Sequence, residues 1–340
     1  MPARPQLPRA RFGDLLAEDL VAVTDDPAVI DRGGRWAVVV DFEGTLTAAR
    51  FRTWRRADAT ADAVGGRWSG VPASRWDSSL GPLAHAEGVD EIRARIAAGD
   101  VYQVNLCRVL ETPLDDGTTL HGLHAALATA HPAPYASHVY LPEHDLDVAS
   151  ASPELFLRRD REHLVTRPIK GTAATADAFL DKDRAENVMI VDLMRNDLGR
   201  VCEPGTVRAT ALCAPEHHPG LVHLVSTVEG TLSDGVGWGE ILAATFPPGS
   251  VVGAPKLAAL DVIRRLEPVP RGPYCGAIGW IDADDDHAEL AVGIRTFWRS
   301  AGTLRLGTGG GVTWDSDPEG EWRETELKAR RLLAVAEHGV

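Results

Sequence analysis

Pro168-Ile-Lys-Gly-Thr172 places a lysine, Lys170, between an isoleucine and a glycine, in a run that predicts a strand followed by a turn. The strand would hold the amine on a stiff element, and the glycine would let backbone approach a ligand closely. Ser152-Pro-Glu154 precedes this segment, and Asp183-Arg-Ala-Glu-Asn187 and Met189-Ile-Val-Asp-Leu-Met-Arg-Asn-Asp197 follow it. Lys170 is therefore the most informative position of the chain; the alternative interpretation is a surface lysine that binds a carboxylate.

Composition limits the classes of protein to consider. The chain has 340 residues and 44% hydrophobic residues, enough for one large domain or two smaller ones. The sequence contains no run of eighteen apolar residues, so we expect no membrane span. No apolar segment follows the N-terminal arginines, so we expect no secretory signal. A formal net charge of −14 argues against a nucleic-acid partner. The cysteines lack a CxxC pair, so we expect a reduced cytoplasmic protein without a zinc site.

Hydrophobic periodicity predicts an α+β fold, because strands and helices follow one another without βαβ regularity. A stretch rich in Gly, Pro and Ser at 65–82 separates a short N-terminal portion, 1–85, from a catalytic domain, 86–340. The predicted strands are 35–42, 101–110, 138–140, 155–158, 163–168, 276–281, 289–298 and 303–307. The predicted helices are a short one ending near Gly99, then 178–196, 238–245, 255–266 and 318–337.

Two predicted helices carry paired carboxylates. Asp317 is a suitable N-cap for the last helix, where Glu321 and Glu324 share one face. Asp183 and Glu186 repeat that spacing on an earlier helix. Four such oxygen ligands can bind Mg²⁺. Taken alone, each pair is equally explained as solvated acids favoured by the helix macrodipole.

Several segments together resemble the catalytic component of the chorismate-utilising enzymes. They are the four segments quoted above, Gly320-Glu-Trp-Arg-Glu-Thr325 with Lys328, and Phe246-Pro-Pro-Gly-Ser250 with Gly253-Ala-Pro-Lys256. Val252 departs from the more familiar threonine. The resemblance covers roughly residues 86–340. It implies two stacked antiparallel β-sheets with helices outside, an active site between them, and Mg²⁺ as cofactor.

The resemblance also assigns roles to individual residues. Glu186 and Glu324 are the expected metal ligands, followed by Glu321 and then Asp183. The expected contacts to a dicarboxylate substrate are Arg295, Tyr274, Lys328, Thr172, His223 and the backbone of Gly309 and Gly310, in a glycine-rich anion nest. Without the family context, an arginine in a strand is usually a surface residue, a single histidine a core residue, and a glycine run a flexible loop.

Three positions distinguish the branches of this family. Gln103 lies where members that add water to chorismate have a lysine base, and an amide cannot take a proton from water, so ammonia is the expected nucleophile. Glu154 matches the general acid that assists departure of the C4 hydroxyl. Lys170 points to the aminodeoxychorismate synthase branch, since the anthranilate branch usually has alanine there. Its amine would attack C2, and ammonia would then displace it while adding at C4.

The implied product is 4-amino-4-deoxychorismate, which feeds p-aminobenzoate and folate synthesis. No Gly-x-Cys-x-Gly elbow is present, so the resemblance implies a separate glutamine amidotransferase subunit that supplies ammonia. Anthranilate synthase component I, an aminodeoxyisochorismate synthase of a specialised pathway and an inert chorismate-binding subunit remain alternatives.

Val40-Asp-Phe-Glu-Gly-Thr-Leu-Thr47 is similar to the opening motif of haloacid-dehalogenase-type phosphatases, but has Glu43 where a second aspartate is needed. Because the N-terminal portion is short, we predict neither a tryptophan-binding pocket nor feedback inhibition.

Overall fold

The computed structural model describes residues 7–57, 68–115, 117–173, 175–179, 181–218 and 221–338. The strands of these residues are β1 (Arg9–Phe12), β2 (Leu15–Thr24), β3 (Arg35–Val40), β4 (Leu46–Arg56), β5 (Asp77–Ser78), β6 (Gln103–Pro113), β7 (Tyr135–Leu141), β8 (Leu146–Ser152), β9 (Leu155–Asp160), β10 (His163–Arg167), β11 (Ile169–Ala173), β12 (Arg208–His218), β13 (Leu221–Thr231), β14 (Gly253–Ala254), β15 (Ala277–Asp282), β16 (His287–Val292), β17 (Thr296–Ser300) and β18 (Thr303–Val312). The helices are α1 (Pro27–Ile30), α2 (Pro82–Ala98), α3 (His121–Ala130), α4 (Asp181–Leu198), α5 (Trp238–Thr245), α6 (Lys256–Leu266) and α7 (Pro318–His338).

Antiparallel pairing joins the described strands into one large curled sheet. One path of neighbours runs β10, β9, β16, β15, β3, β4, β2, β1, β7, β8, β17, β18 and β6. At one end β13 pairs with β10, β11 and β12, and at the other β5 and β14 pair with β6. The α+β class is thus confirmed, while the division into two stacked sheets stays a prediction.

The N-terminal strands belong to this same sheet. β3 pairs with β15 from Val40↔Ala277 to Arg35↔Asp282, and β1 pairs with β7. The phosphatase-like segment forms the tight turn between β3 and β4, where the N–H of Gly44 donates to the carbonyl of Asp41. Residues 7–57 therefore contribute strands to the sheet that carries the rest of the chain. The division at residue 85 stays a prediction.

Helix ends follow the capping residues that the sequence contains. α5 has the predicted bounds, and α6 begins one residue later than predicted. α7 begins at Pro318, and Asp317 caps it by accepting a hydrogen bond at 2.7 Å from the N–H of Gly320. α2 ends at Ala98, and its C-cap is Gly99, whose φ of 82° lies in the left-handed region that favours glycine. This helix begins at Pro82, earlier than predicted.

Two strand predictions are corrected by the structure. The single strand at 289–298 is wrong: β16 ends at Val292 and β17 begins at Thr296. Between them the Pro273 carbonyl lies where a Cβ on Gly293 would be, so a turn from the neighbouring segment crosses the chain there. The strand at 303–307 is too short, since β18 continues through the glycine run to Val312 and pairs with β6 along its whole length.

The core lies on the sheet and under its helices. Trp36, Phe156, Trp238 and Ile92 are among its fully buried side chains. All four cysteines are buried and carry free thiols. Within the described part of the chain, no helix is both long and apolar enough to cross a membrane.

Candidate active site

Lys170 projects from an irregular stretch of β11. Ile169 pairs with Val225 and Thr172 with His223, and the register shifts between these two pairs. Gly171, with φ 85°, accommodates the shift, and a Cβ there would lie 3.1 Å from Cβ of Asp183 on α4. A bulge of this kind redirects the side chain beside it. Glycine adopts the positive φ that the bulge needs without the steric strain of a Cβ.

Lys170 and Gln103 share one carboxylate oxygen. Nζ of Lys170 lies 2.8 Å from Oε1 of Glu186, and Nε2 of Gln103 donates to the same oxygen. The side chains of Lys170 and Glu186 are only 11% and 23% exposed. Burial would raise the pKa of Glu186, but the charge of Lys170 and the hydrogen bonds hold it below its ordinary value. β6, β11 and α4 thus bring three of the residues singled out from the sequence into one cluster.

Glu154 is a buried carboxyl group that holds a proton near neutrality. It follows β8 in a turn fixed from both sides, since Ser152 Oγ donates to the Val292 carbonyl at 2.6 Å and Val292 N–H to the Glu154 carbonyl at 3.0 Å. Burial raises the pKa of Glu154 to about 7, although the Ser250 hydroxyl, the Lys170 charge and the Ile169 backbone lower it. A carboxyl group with such a pKa suits general acid catalysis.

The glycine segment, Gly307, Gly309, Gly310 and Gly311, forms part of β18 rather than a loop nest. A Cβ on Gly307 would overlap the ring of Tyr274, and one on Gly309 would overlap Sγ of Cys107. Beyond Leu306, β18 pairs with β6 alone among the described strands. The Gly309 carbonyl accepts a hydrogen bond at 2.9 Å from Nζ of Lys328. The predicted contacts Gly309 and Lys328 therefore meet.

Three of the four predicted metal carboxylates lie against this segment. A Cβ on Gly310 would be 3.1 Å from Oε2 of Glu321 and 3.5 Å from Oε1 of Glu324. A Cβ on Gly311 would be 3.0 Å from Oε1 of Glu186. Asp183, the fourth, packs beside Gly171. Two helices thus present carboxylates to neighbouring glycines.

The donor chemistry of these carboxylates fits Mg²⁺, a hard cation that prefers oxygen ligands. Their present contacts are with other side chains: Glu324 Oε1 lies 2.7 Å from Nζ of Lys328, and Glu321 Oε1 accepts from Ser316 Oγ at 2.6 Å. Within the described ranges, no group of three or more His, Cys, Asp or Glu residues is arranged to bind a metal. Magnesium binding therefore stays a prediction.

Arg295 is a half-buried cation in the turn between β16 and β17, not a strand residue. Its φ of 52° is left-handed, and no hydrogen bond or ion pair joins its guanidinium to any residue that the structure describes. Burial and the nearby charge of Arg331 lower the pKa of Arg295. A partly desolvated guanidinium in this state is suited to bind an anion.

The remaining predicted contacts are placed as follows. Tyr274 is buried, with its hydroxyl 3.9 Å from Sγ of Cys107, and burial raises its pKa. His223 is buried in β13, opposite Thr172. The side chain of Thr172 lies outside what the structure describes. Sequence reasoning missed Ser316 and Arg331, because nothing in the local pattern signals a contact with another element.

Comparison with known proteins identifies the family of this chain. A family model described as chorismate binding enzyme matches residues 48–334, and the chain belongs to that family. Anthranilate synthase component 1 of Thermus thermophilus is 39% identical over 304 residues, 85% of this chain and 64% of that protein. Aminodeoxychorismate synthase component 1 of Salmonella typhimurium is 35% identical over 320 residues, 89% of this chain and 69% of that protein. The chain thus spans roughly two thirds of the length of these relatives.

Solved structures show the same fold. Anthranilate synthase component I from Streptococcus pneumoniae superimposes with a TM-score of 0.80 at 22% identity, covering 98% of this chain and 93% of that one. MenF, the menaquinone-specific isochorismate synthase of Escherichia coli, gives a TM-score of 0.76 at 18% identity, covering 97% and 90%. These structures confirm the expected fold, and the family match at residues 48–334 confirms the expected family.

Proposed function

We propose that this protein aminates chorismate at C4 with ammonia, giving 4-amino-4-deoxychorismate and water. The observation that carries the proposal is the Lys170–Glu186–Gln103 cluster: a shielded amine beside a carboxylate, with an amide in place of a base that could activate water. Glu154, with a pKa of about 7, supplies the acid for the same site.

The reaction would take two substitutions. After a proton leaves Lys170, its Nζ attacks C2 of the ring, both ring double bonds shift along C2–C1–C6–C5–C4, and the C4 hydroxyl departs as water with a proton from Glu154. Ammonia then attacks C4, both double bonds shift back, and the C2–Nζ bond breaks. The proton lost by the incoming nitrogen restores Glu154. Each step forms one bond and breaks one at an allylic position.

Substrate binding would use two cations, Arg295 and Lys328. Arg295 offers a bidentate contact to one carboxylate, and Lys328, beside Gly309, a second positive charge. Glu186, Glu321 and Glu324 are the residues that would hold Mg²⁺, and the bound ion would neutralise a carboxylate of chorismate.

Anthranilate synthase activity is a second candidate, because the Thermus relative with that name is 39% identical to this chain. The presence of Lys170 argues against anthranilate synthase activity, because a lysine that attacks C2 blocks the carbon that anthranilate formation must aminate. The two candidates predict different products from the same substrates.

The names of both relatives as component 1 support a partner protein. We propose a glutamine amidotransferase that delivers ammonia, and entry of the product into p-aminobenzoate and folate synthesis.

The deciding experiment is incubation of the protein with chorismate and ammonium chloride, with and without Mg²⁺, followed by chromatography and mass spectrometry. We expect 4-amino-4-deoxychorismate to form without release of pyruvate. We expect its formation to depend on Mg²⁺. Formation of anthranilate and pyruvate would favour the second candidate instead.

A further inference from the structure

A buried arginine, Arg108, joins β6 to the start of α7. Its side chain is almost fully buried, and its Nε donates a hydrogen bond at 3.0 Å to Oγ1 of Thr325. Its guanidinium carbon lies 4.1 Å from the centre of the Trp322 ring, close enough for a cation–π contact. Its Nη1 donates at 3.0 Å to Oγ of Ser78 on β5. One side chain thus ties two strands of the sheet to the first turns of α7.

Trp322 and Thr325 lie three residues apart, on the face of α7 that meets the sheet. Thr308 of β18 adds a second contact there, since its hydroxyl donates at 2.9 Å to the carbonyl of Thr325. Glu321 and Glu324 each precede one of these two α7 residues, so they project from the same turns about 100° away around the axis. The contacts that fix the rotation of α7 therefore decide where both carboxylates point.

The two carboxylates have contacts of their own, but these lie on or beside α7. Glu321 accepts from Ser316, in the segment that leads into the helix, and Glu324 pairs with Lys328, one turn further along it. Such contacts do not by themselves set the position of the helix against the sheet. Mg²⁺ tolerates little departure from octahedral geometry, and Glu186 would approach it from α4. Alignment with Glu186 thus depends on what holds α7 in place.

We propose that Arg108 is a positioning residue for metal binding: it holds α7 in the rotation that lets Glu321 and Glu324 share one Mg²⁺ with Glu186. The inference rests on the proposed function, in which these three carboxylates hold the ion. Residues that orient metal ligands from behind are strong determinants of affinity, and their loss typically costs about 10- to 100-fold.

The burial of this charge does not serve stability in an evident way. Among the residues that the structure describes, no carboxylate forms an ion pair with Arg108, and burial lowers the pKa of its guanidinium. A buried charge without an ionic partner costs free energy. Both hydroxyls that it contacts have a carbonyl acceptor besides: Ser78 donates to Leu80 at 2.7 Å, and Thr325 to Trp322 at 2.8 Å. Arg108→Met should therefore melt within a few degrees of the unaltered protein, or above it.

Isothermal titration calorimetry with MgCl₂ alone tests the inference. In Arg108→Met the dissociation constant for Mg²⁺ should rise about tenfold or more. The sign of the change separates position from charge, because removing a nearby cation would by charge alone tighten Mg²⁺ binding. In the amination assay, the Mg²⁺ concentration for half-maximal rate should rise by the same factor. At saturating Mg²⁺, kcat should stay within about twofold of its original value, since the bound ion then aligns the carboxylates.

Thr325→Val is the second variant. It keeps the shape of the side chain and the charge of Arg108, and removes the hydroxyl that accepts from Nε. It should weaken Mg²⁺ binding as well, and add little in the Arg108→Met background, where the contact is already lost. Arg50→Met is the matched control: Arg50 lies 5.6 Å from the centre of the Trp36 ring, on β4, which pairs with β2 and β3. It should leave the dissociation constant unchanged.

Tighter or unchanged Mg²⁺ binding in folded Arg108→Met would overturn the inference, and so would the absence of Mg²⁺ binding by the unaltered protein. If Arg108→Met does not fold, Thr325→Val decides by the same criterion. Failure of the proposed function is seen separately, in the products of the unaltered protein. Should it form anthranilate, amination at C4 is wrong, while the Mg²⁺ dissociation constants of the variants still decide the role of Arg108.

Discussion

Lys170 on β11 and Glu186 on α4 form an ion pair, with Nζ 2.8 Å from Oε1, in a part of the protein where both side chains are mostly shielded from water. The pair joins the two groups to which different roles are assigned, nucleophile and metal ligand. The contact aligns the amine with the carboxylate, and although burial would raise the pKa of Glu186, the charge of Lys170 holds it below its ordinary value. In the proposed mechanism Lys170 must lose a proton, and Oε1 of Glu186 is within hydrogen-bond distance to assist that loss.

Lys170→Ala is expected to reduce C4 amination by roughly 10³-fold or more, because it removes the nucleophile and thus the covalent route. Chromatography of the products after reaction with ammonium chloride measures this directly. The mass of the intact variant should show no chorismate adduct. Unchanged formation of 4-amino-4-deoxychorismate by this variant would contradict the mechanism.

Arg208→Ala provides the control for Lys170→Ala. Arg208 also forms an ion pair with a glutamate, 2.9 Å from Oε1 of Glu229, but its side chain is 73% exposed. Exposed pairs contribute little, about 0–1 kcal/mol. Its removal should leave the rate of amination unchanged.

The raised pKa of Glu154 predicts the pH dependence. The carboxyl group is protonated below about pH 7 and loses its proton above it, so kcat/KM for chorismate should fall as pH rises through about 7. The profile must be measured at a constant, saturating concentration of free ammonia, because that concentration itself rises with pH. Glu154→Gln should lower the rate by about 10²- to 10⁴-fold and remove the descending limb. A limb that persists in this variant would assign the titration to another group.

Arg295→Ala separates binding from stability. Since no described residue pairs with the guanidinium, its removal should leave the free energy of unfolding unchanged or higher, whereas KM for chorismate should rise by about ten- to a hundredfold. Denaturant unfolding and steady-state kinetics on the same preparation test both halves. Arg264→Ala is the control, since that arginine is 72% exposed and pairs only with Asp261 among the described residues. A clear loss of stability in Arg295→Ala would indicate a structural role.

Much of the fold follows from local signals. α5 and the start of α7 are predicted from residues that act within one turn, such as Asp317 and Pro318. The break at Gly293–Arg295 could not be predicted, because it depends on the close approach of the Pro273 carbonyl. Residues 289–298 alternate in polarity as a strand does. Nothing in their sequence indicates that the Pro273 carbonyl packs against Gly293.

The candidate site also combines residues that the sequence identifies with contacts that it does not predict. The residues that the proposed chemistry needs, including Lys170, Glu154 and Gln103, could be identified from the sequence. Their mutual contacts could not, since residues 103, 170 and 186 meet only when β6, β11 and α4 assemble. From the sequence, the glycine run is predicted to form an anion nest beyond a strand at 303–307, because glycine is rare in strands. In β18 it serves to admit Tyr274 and the carboxylates close to the backbone.

Gly311→Ala tests whether that close approach matters. The added Cβ would overlap Nε2 of Gln103 and lie 3.0 Å from Oε1 of Glu186, so both side chains must move while the rest of β18 stays paired. A displacement of about 1 Å in a catalytic group costs on the order of 10²-fold in rate. Overpacking should cost about 1–3 kcal/mol of stability. Gly81→Ala is the control: a Cβ there meets nothing within 4 Å, so the free energy of unfolding should change by less than about 0.5 kcal/mol and the rate not at all. Full activity in folded Gly311→Ala would mean that the Gln103–Glu186 contact is dispensable for the chemistry.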